Sequence, residues 1–136
     1  MRSSLSVIIL SYNEEIHIER CLNSIKDIAQ DIYLVDSYSN DNTIKIAKKV
    51  GAKVIQNKWP GNHSKQFNWA LESLDIKTNW VMRLDADEFI EPGLANEITT
   101  ELSITSDIKG FYLKRGHIFL GKKIRYGGNY PLNLLR

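Results

Sequence analysis

Residues 5–25 read LSVIILSYNEEIHIERCLNSI, and their order decides the fold class. Leu5–Leu10 is a short aliphatic run that reads as a buried strand. It stops at the polar cluster Ser11–Glu15. Asn13 is placed to cap a helix starting at Glu14-Glu15, whose acids suit the positive end of a helix dipole. Ile18, Cys21, Leu22 and Ile25 then recur at i, i+3, i+4 and i+7, which is one apolar helical face.

The same alternation continues outward. Asp31–Asp36 carries Ile32, Tyr33, Leu34 and Val35 and reads as a second strand. A polar loop, Ser37–Asn42, follows, and Asp41 or Asn40 is placed to cap a helix that stops at Gly51. Lys53–Ile55 is a short third strand. After a loop with Pro60-Gly61, Phe67, Ala70, Leu71 and Leu74 share a helical face. Trp80–Leu84 is a fourth strand ending at Asp85-Ala86-Asp87, and Pro92 opens a helix with Leu94, Ile98 and Leu102 inside. Lys109–Leu113 and Lys122–Tyr126 read as further strands. Alternating strands and helices predict an α/β fold, a mostly parallel sheet with helices on both faces. Such sheets bind ligands at the carboxyl ends of their strands, near a switch in strand order. The clusters Ser11–Glu14, Asp36–Asp41 and Asp85–Glu88 all fall at those ends.

Composition narrows the function classes. The chain has 136 residues, 18 basic and 16 acidic side chains, and 43% hydrophobic residues, the make-up of one globular domain. Its single cysteine, Cys21, excludes a disulfide scaffold and a cysteine-based zinc site. The run Val7–Leu10 is far short of the ~20 residues of a spanning helix, and the polar cluster after it is unlike a signal peptide. A cytoplasmic, reducing location is expected. Charge is uneven: residues 1–106 hold 11 basic and 15 acidic groups, whereas residues 107–136 hold 7 basic and 1 acidic. Nucleic acid is not an expected partner, because the basic groups do not line the whole chain. The basic 107–136 region suits phosphates or an anionic membrane surface, and equally a solvated strand face.

Asp85-Ala86-Asp87 is the sharpest chemical feature. Two carboxylates two residues apart, just past a buried strand, point roughly the same way. Hard oxygens favour Mg²⁺ or Mn²⁺, which take one or two carboxylates plus substrate phosphates. A solvated turn ahead of Pro92 explains the spacing about as well; the placement after a buried strand favours chemistry. Asp36 suits a ribose hydroxyl or base N–H, or else a turn bonded to its own backbone. Asp41 reads as a helix cap and Tyr12 as a stacking ring or an edge filler. Lys65 and Arg83 are possible phosphate partners, and Arg83, inside a buried strand, is expected to pair with a carboxylate. His17, His63 and His117 lack metal-ligand spacing. No P-loop, no Gly-x-Gly-x-x-Gly and no Gly-x-Ser-x-Gly elbow is present.

Four blocks together carry a resemblance: Ser6–Glu15, Cys21–Ser24, Val35–Thr43 and Leu84–Glu88. In order and spacing they resemble family 2 glycosyltransferases with the Rossmann-like GT-A fold. Lys65–Leu71 and Arg115–Arg136 are similar to the lipopolysaccharide-core β-glucosyltransferase subgroup. The resemblance implies an inverting transfer from a nucleotide-diphosphate sugar, a UDP-sugar first, to a cell-envelope glycan or glycolipid, at the inner face of a membrane. It implies that Tyr12 and the backbone at Leu10 and Ser11 hold the base, and that Glu14 and Asp36 bind base or ribose. Lys65 would be a basic nucleotide contact. Asp85 and Ala86 would face the ribose and sugar, and Asp87 with Asp85 would bind Mn²⁺ or Mg²⁺. Ser37 stands where many members have a second Asp. The acceptor-side base is expected beyond Arg136, which makes residues 1–106 the nucleotide-sugar half and 107–136 the start of the acceptor side of a C-terminally incomplete domain. Two other readings remain: a donor-binding module without turnover, and an aspartate-based phosphatase. The phosphatase reading suffers because its motif belongs on a first strand, not a fourth.

Overall fold

Strand β1 (Leu5–Ser11) is buried along its whole length, as a parallel strand covered on both faces must be. The computed structural model describes residues 4–104, 107–124 and 132–135. The chain divides into two compact units, Met1–Thr105 and Ser106–Arg136. In the first, β1 is followed by α1 (Ile18–Ile25), β2 (Asp31–Asp36), α2 (Thr43–Val50), β3 (Lys53–Gln56), α3 (His63–Ser73), β4 (Trp80–Asp85) and α4 (Pro92–Ile104). The sheet order is β3-β2-β1-β4 and every pairing is parallel. This is the α/β sheet that the alternation predicts.

The order reverses at β1. Strands β2 and β3 extend the sheet to one side of β1, and β4 pairs on its other side. Right-handed crossovers then put α1 and α2 on one face and α3 on the other. Residues Ile8, Leu10, Tyr33 and Val35 form a core cluster with Ala70 of α3, and Phe67, Leu74 and Val81 pack on it. Val7, Ile9 and Leu34, alternate in register, face the opposite side and are fully buried. On α1, Ile18, Cys21, Leu22 and Ile25 are fully buried too, the stripe read from the sequence. Gly51 ends α2 in the left-handed conformation, with φ 101°.

Local expectations on these helices change. Helix α1 starts at Ile18, not at Glu14, because Asn13 is left-handed at φ 50° and its side chain is engaged elsewhere. Glu14 instead accepts the N–H groups of His17 and Ile18 through its carbonyl, closing a turn. On α3, Leu71 is 40% exposed, whereas Gln66 is fully buried. Residues 66, 67, 70 and 74 form one stripe at helical spacing, and Leu71 lies a further 100° round. The N-cap of α2 is Asn42, without a side-chain cap bond; Asp41, one residue earlier, closes a turn by accepting from the N–H and hydroxyl of Thr43.

In the second unit, β5 (Tyr112–Arg115) pairs antiparallel with β8 (Leu132–Leu135), and β6 (His117–Phe119) with β7 (Lys122–Ile124). Leu120 and Gly121, at φ 48° and 77°, form the two-residue turn of the β6–β7 hairpin. The expected strand at Lys109–Leu113 lies later, at Tyr112–Arg115, and β6 was not foreseen. Residues 125 and 126 of the expected strand Lys122–Tyr126 lie outside the described residues. Among the described residues no helix is long and apolar enough to cross a membrane.

Candidate functional site

Parallel strands aim their carboxyl ends at one edge of the sheet, so β1, β2 and β4 deliver three polar loops there. The register sets them side by side: Ser11 is opposite Asp36, and Leu10 is opposite Asp85. The reversal of strand order at β1 falls at this edge, the usual ligand position in such sheets.

The loops after β1 and β2 are zipped together. Ser37 N–H donates to the Ser11 carbonyl at 2.9 Å. Asn13 N–H donates to Ser39 Oγ at 2.8 Å, and Asn13 Oδ1 accepts from Asn40 N–H at 3.0 Å. Glu14 N–H donates to Thr43 Oγ1 at 2.8 Å. Glu15 Oε2 takes the N–H of Asn42 at 3.0 Å. Asp36 lies beneath this seam with no exposed surface. Its Oδ1 accepts from Ser11 Oγ at 2.9 Å and Ser39 Oγ at 2.6 Å, and its Oδ2 accepts from Ser39 N–H at 2.7 Å. Its carboxylate therefore shapes the loop from within. Two rings stand out from the seam, Tyr12 at 57% and Tyr38 at 58% exposure. Leu10 and Ser11 are buried just behind Tyr12.

At the end of β4, Arg83 Nη2 lies 3.6 Å from Asp85 Oδ1, an ion pair longer than a hydrogen bond. This is the carboxylate pairing expected of a basic residue inside a strand. Arg83 Nε is buried without a hydrogen-bond partner among the described residues. Ala86 is buried, and Asp87 emerges into solvent. Glu14 senses this acid: burial first, then repulsion by Asp87 and by Asp41, raises its carboxyl pKa, against the pull of His17. Asp41 behaves oppositely. Partial desolvation pulls its carboxyl upward, but donation from the Thr43 hydroxyl and N–H and from Glu15 N–H outweighs that and lowers it. Burial, then Glu88 and Asp87, push the Cys21 thiol up to about 12, so it stays protonated and able to donate.

The acids at this mouth suit a hard divalent cation. Among the described residues no group of three or more His, Cys, Asp or Glu forms a ready metal cage. Mg²⁺ and Mn²⁺ sites that share substrate phosphates need only one or two carboxylates. Asp85 and Asp87 meet that requirement, and the repulsion felt by Glu14 marks the negative potential a cation would relieve. Lys65 is exposed on α3; its N–H is capped by Asn62 Oδ1 at 2.9 Å, and its ammonium joins no carboxylate among the described residues.

One residue was missed entirely. Gln66 Nε2 donates to Ser37 Oγ at 3.1 Å and to the Asn57 carbonyl at 3.3 Å, while its Oε1 accepts from Asn57 Nδ2 at 2.8 Å. It ties the loop after β2 to the loop after β3 from a fully buried position. The available signal was a glutamine four residues before Ala70, on the buried stripe of α3.

Comparisons with known proteins bear on the family and the fold. The model of Glycosyl transferase family 2 matches residues 6–116. A protein of Rickettsia typhi described as an uncharacterised glycosyltransferase is 42% identical over 94 residues, covering 69% of this chain and 31% of its own length. A counterpart from Rickettsia prowazekii is 38% identical over 109 residues, covering 80% of this chain and 36% of its own length. The chain spans about a third of the length of the curated relatives it matches. Among solved structures, a mannosyltransferase of Pyrobaculum calidifontis in complex with GDP-Man and Mn²⁺ superposes with a TM-score of 0.64 at 22% identity, over 85% of this chain and 36% of that one. Glucosyl-3-phosphoglycerate synthase of Mycobacterium tuberculosis in complex with Mn²⁺, UDP and glucosyl-3-phosphoglycerate superposes with a TM-score of 0.53 at 22% identity, over 65% of this chain and 36% of that one. These likenesses make the fold GT-A-like, and the match of the family model across most of its length shows that the chain belongs to the family 2 glycosyltransferases.

Proposed function

We propose that this chain carries the donor site of an inverting, metal-assisted glycosyltransferase that uses a nucleotide-diphosphate sugar. The observation that carries the reading is the convergence of Tyr12, Glu14, Asp85 and Asp87 on one carboxyl edge, beside the reversal of strand order. The GDP-Man, UDP and Mn²⁺ of the two structural neighbours support a nucleotide sugar and a divalent cation for this chain too.

The roles proposed are those the family resemblance implies, and the placement of the residues at one sheet edge supports them. The exposed ring of Tyr12, with the backbone of Leu10 and Ser11 behind it, would stack on the base. Glu14 would bind base or ribose beside it, and Asp36 would act on the same contacts by shaping the loop. Lys65 would add a positive charge for the nucleotide. Asp85 and Ala86 would lie against ribose and sugar, and Asp87 with Asp85 would hold Mn²⁺ or Mg²⁺. Such a cation neutralises a departing diphosphate. Arg83 would keep Asp85 aimed.

The test is calorimetric titration of the chain with UDP, GDP and their sugars, in Mn²⁺ and then in EDTA. Binding that needs the metal is the expected result. Failure of a folded sample to bind any of them would overturn the donor site. Sugar transfer by this chain alone would exclude the second reading, a donor-binding module without turnover.

The proposed acceptor is a cell-envelope glycan or glycolipid. The similarity of Lys65–Leu71 and Arg115–Arg136 to lipopolysaccharide-core β-glucosyltransferases points to that subgroup. The excess of 7 basic over 1 acidic side chain in residues 107–136 suits a lipid-phosphate acceptor at the cytoplasmic face of a membrane. Binding to anionic vesicles that falls steeply between low and physiological salt is expected; salt-independent binding, or none, would remove the membrane contact.

A further inference from the structure

Helix α1 holds the loop that carries Asp87 at several points. Cys21 Sγ donates to the Asp85 carbonyl at 3.6 Å. Arg20 Nη2 donates to the Asp87 carbonyl at 3.3 Å. The Arg20 guanidinium also lies over the Phe89 ring, 4.7 Å from its centroid. Ser24 Oγ accepts from Ile90 N–H at 3.0 Å and donates to the Cys21 carbonyl at 2.6 Å, which fixes the direction of its hydroxyl. Residues 85, 87, 89 and 90 are thus each gripped by Arg20, Cys21 or Ser24. These three share one side of α1 because positions i and i+4 lie nearly above each other and i+1 beside them.

The grip is on the main chain, and that is its significance. The Asp87 carboxylate accepts no hydrogen bond among the described residues, so its direction is set by where its backbone is pinned. Within the loop, Glu88 N–H donates to the Asp85 carbonyl at 2.9 Å and Asp85 N–H donates to Glu88 Oε2 at 3.4 Å. Arg20 itself is exposed, and its aliphatic stem is no part of the buried α1 stripe. A surface arginine that spends its donor on a carbonyl and its plane on Phe89 contributes little to the core. It contributes the position of Asp87.

We infer that Arg20 is a positioning residue for the metal-binding loop, with Cys21 and Ser24 pinning the loop on either side of it. The inference rests on the donor-site reading above and extends it from the loop to the helix behind it. Partners of this kind that orient ligands typically change metal affinity by ~10–100-fold when removed.

The test is Arg20→Ala in the full chain, read three ways. Amide hydrogen exchange at residues 87–89 should quicken about tenfold in the metal-free protein. Mn²⁺-dependent UDP binding should weaken about tenfold, with nucleotide binding in EDTA and the urea midpoint unchanged. Cys21→Ser, which keeps a donor at the buried position, should retain the slow exchange at residues 85–87. Unchanged exchange and unchanged Mn²⁺ dependence in Arg20→Ala would overturn the inference. So would equal losses with and without metal, which would mean a general role in folding. Absence of Mn²⁺ dependence in the unsubstituted chain would overturn the donor-site reading and this role with it, so the two failures are told apart by the unsubstituted control.

Discussion

Alanine at Asp36 is expected to lower the unfolding free energy by about 3–5 kcal/mol, the range for breaking a buried, hydrogen-bonded charge. The carboxylate has no exposed surface and accepts three hydrogen bonds, from Ser11 Oγ, Ser39 Oγ and Ser39 N–H. Bonds to a charged acceptor contribute about 1.5–3 kcal/mol each, and truncation leaves the donors behind without it. Ser11 is itself buried, so its hydroxyl has little access to replacement water. Asp36→Asn should cost less, about 2 kcal/mol, because one amide oxygen still accepts. Urea unfolding of the two variants measures both. The comparison also separates two roles. If Asp36 contacts a ribose directly, nucleotide affinity falls while stability is kept. If it supports the seam between the loops, stability falls first and affinity follows. A loss below about 1 kcal/mol for Asp36→Ala would mean that the enclosure contributes little.

The sheet and its edge were legible because they follow from local pattern. Aliphatic runs, helical stripes and the Gly51 stop each have a short-range cause. The carboxyl ends follow once the strands are known to be parallel. What was not legible depends on contacts between distant segments. Asn13 looked like a helix cap, since asparagine before two acids is a good cap signal. Its side chain is taken by Asn40, 27 residues away, and the helix starts later. Leu71 and Gln66 look exchanged by composition alone, yet the buried amide is needed where the loops after β2 and β3 meet. Arg83 was legible as an anomaly, a cation inside a strand, and its partner is the nearest acid on the same face, Asp85. For Asp36, the sequence left both a ligand contact and a turn open, and the enclosure by Ser39 is the turn. Strand β6 of the hairpin at Leu120-Gly121 escaped because it is three residues long, too short to show a period.

Alanine at Asp87 should have the opposite profile: metal-dependent nucleotide binding lost by about 100-fold or more, with stability kept. The magnitude follows from rank. Groups that merely orient a metal ligand are worth ~10–100-fold, so a ligand itself is worth at least the upper end. Stability is kept because Asp87 is exposed and its carboxylate has no hydrogen-bond partner among the described residues to lose. Its charge even works against the fold, since after burial it is the largest cause of the raised Glu14 pKa. A carboxyl whose folded pKa lies above its unfolded value favours folding less once the pH exceeds the unfolded value, because the unfolded chain releases that proton more easily. The resulting penalty grows between the ordinary glutamate pKa and the raised one. Removing Asp87 should shrink it, so Asp87→Ala should lose less stability than the unsubstituted chain as pH rises through that window. Urea midpoints at a series of pH values, set beside titrations with UDP in Mn²⁺ and in EDTA, measure both effects on one variant. Unaltered Mn²⁺-dependent binding would take the metal away from Asp87. A crossed result, with Asp36→Ala losing stability and Asp87→Ala losing the metal, would show that two acids at one sheet edge divide the work: one builds the loop from inside, and the other is left free to meet a cation.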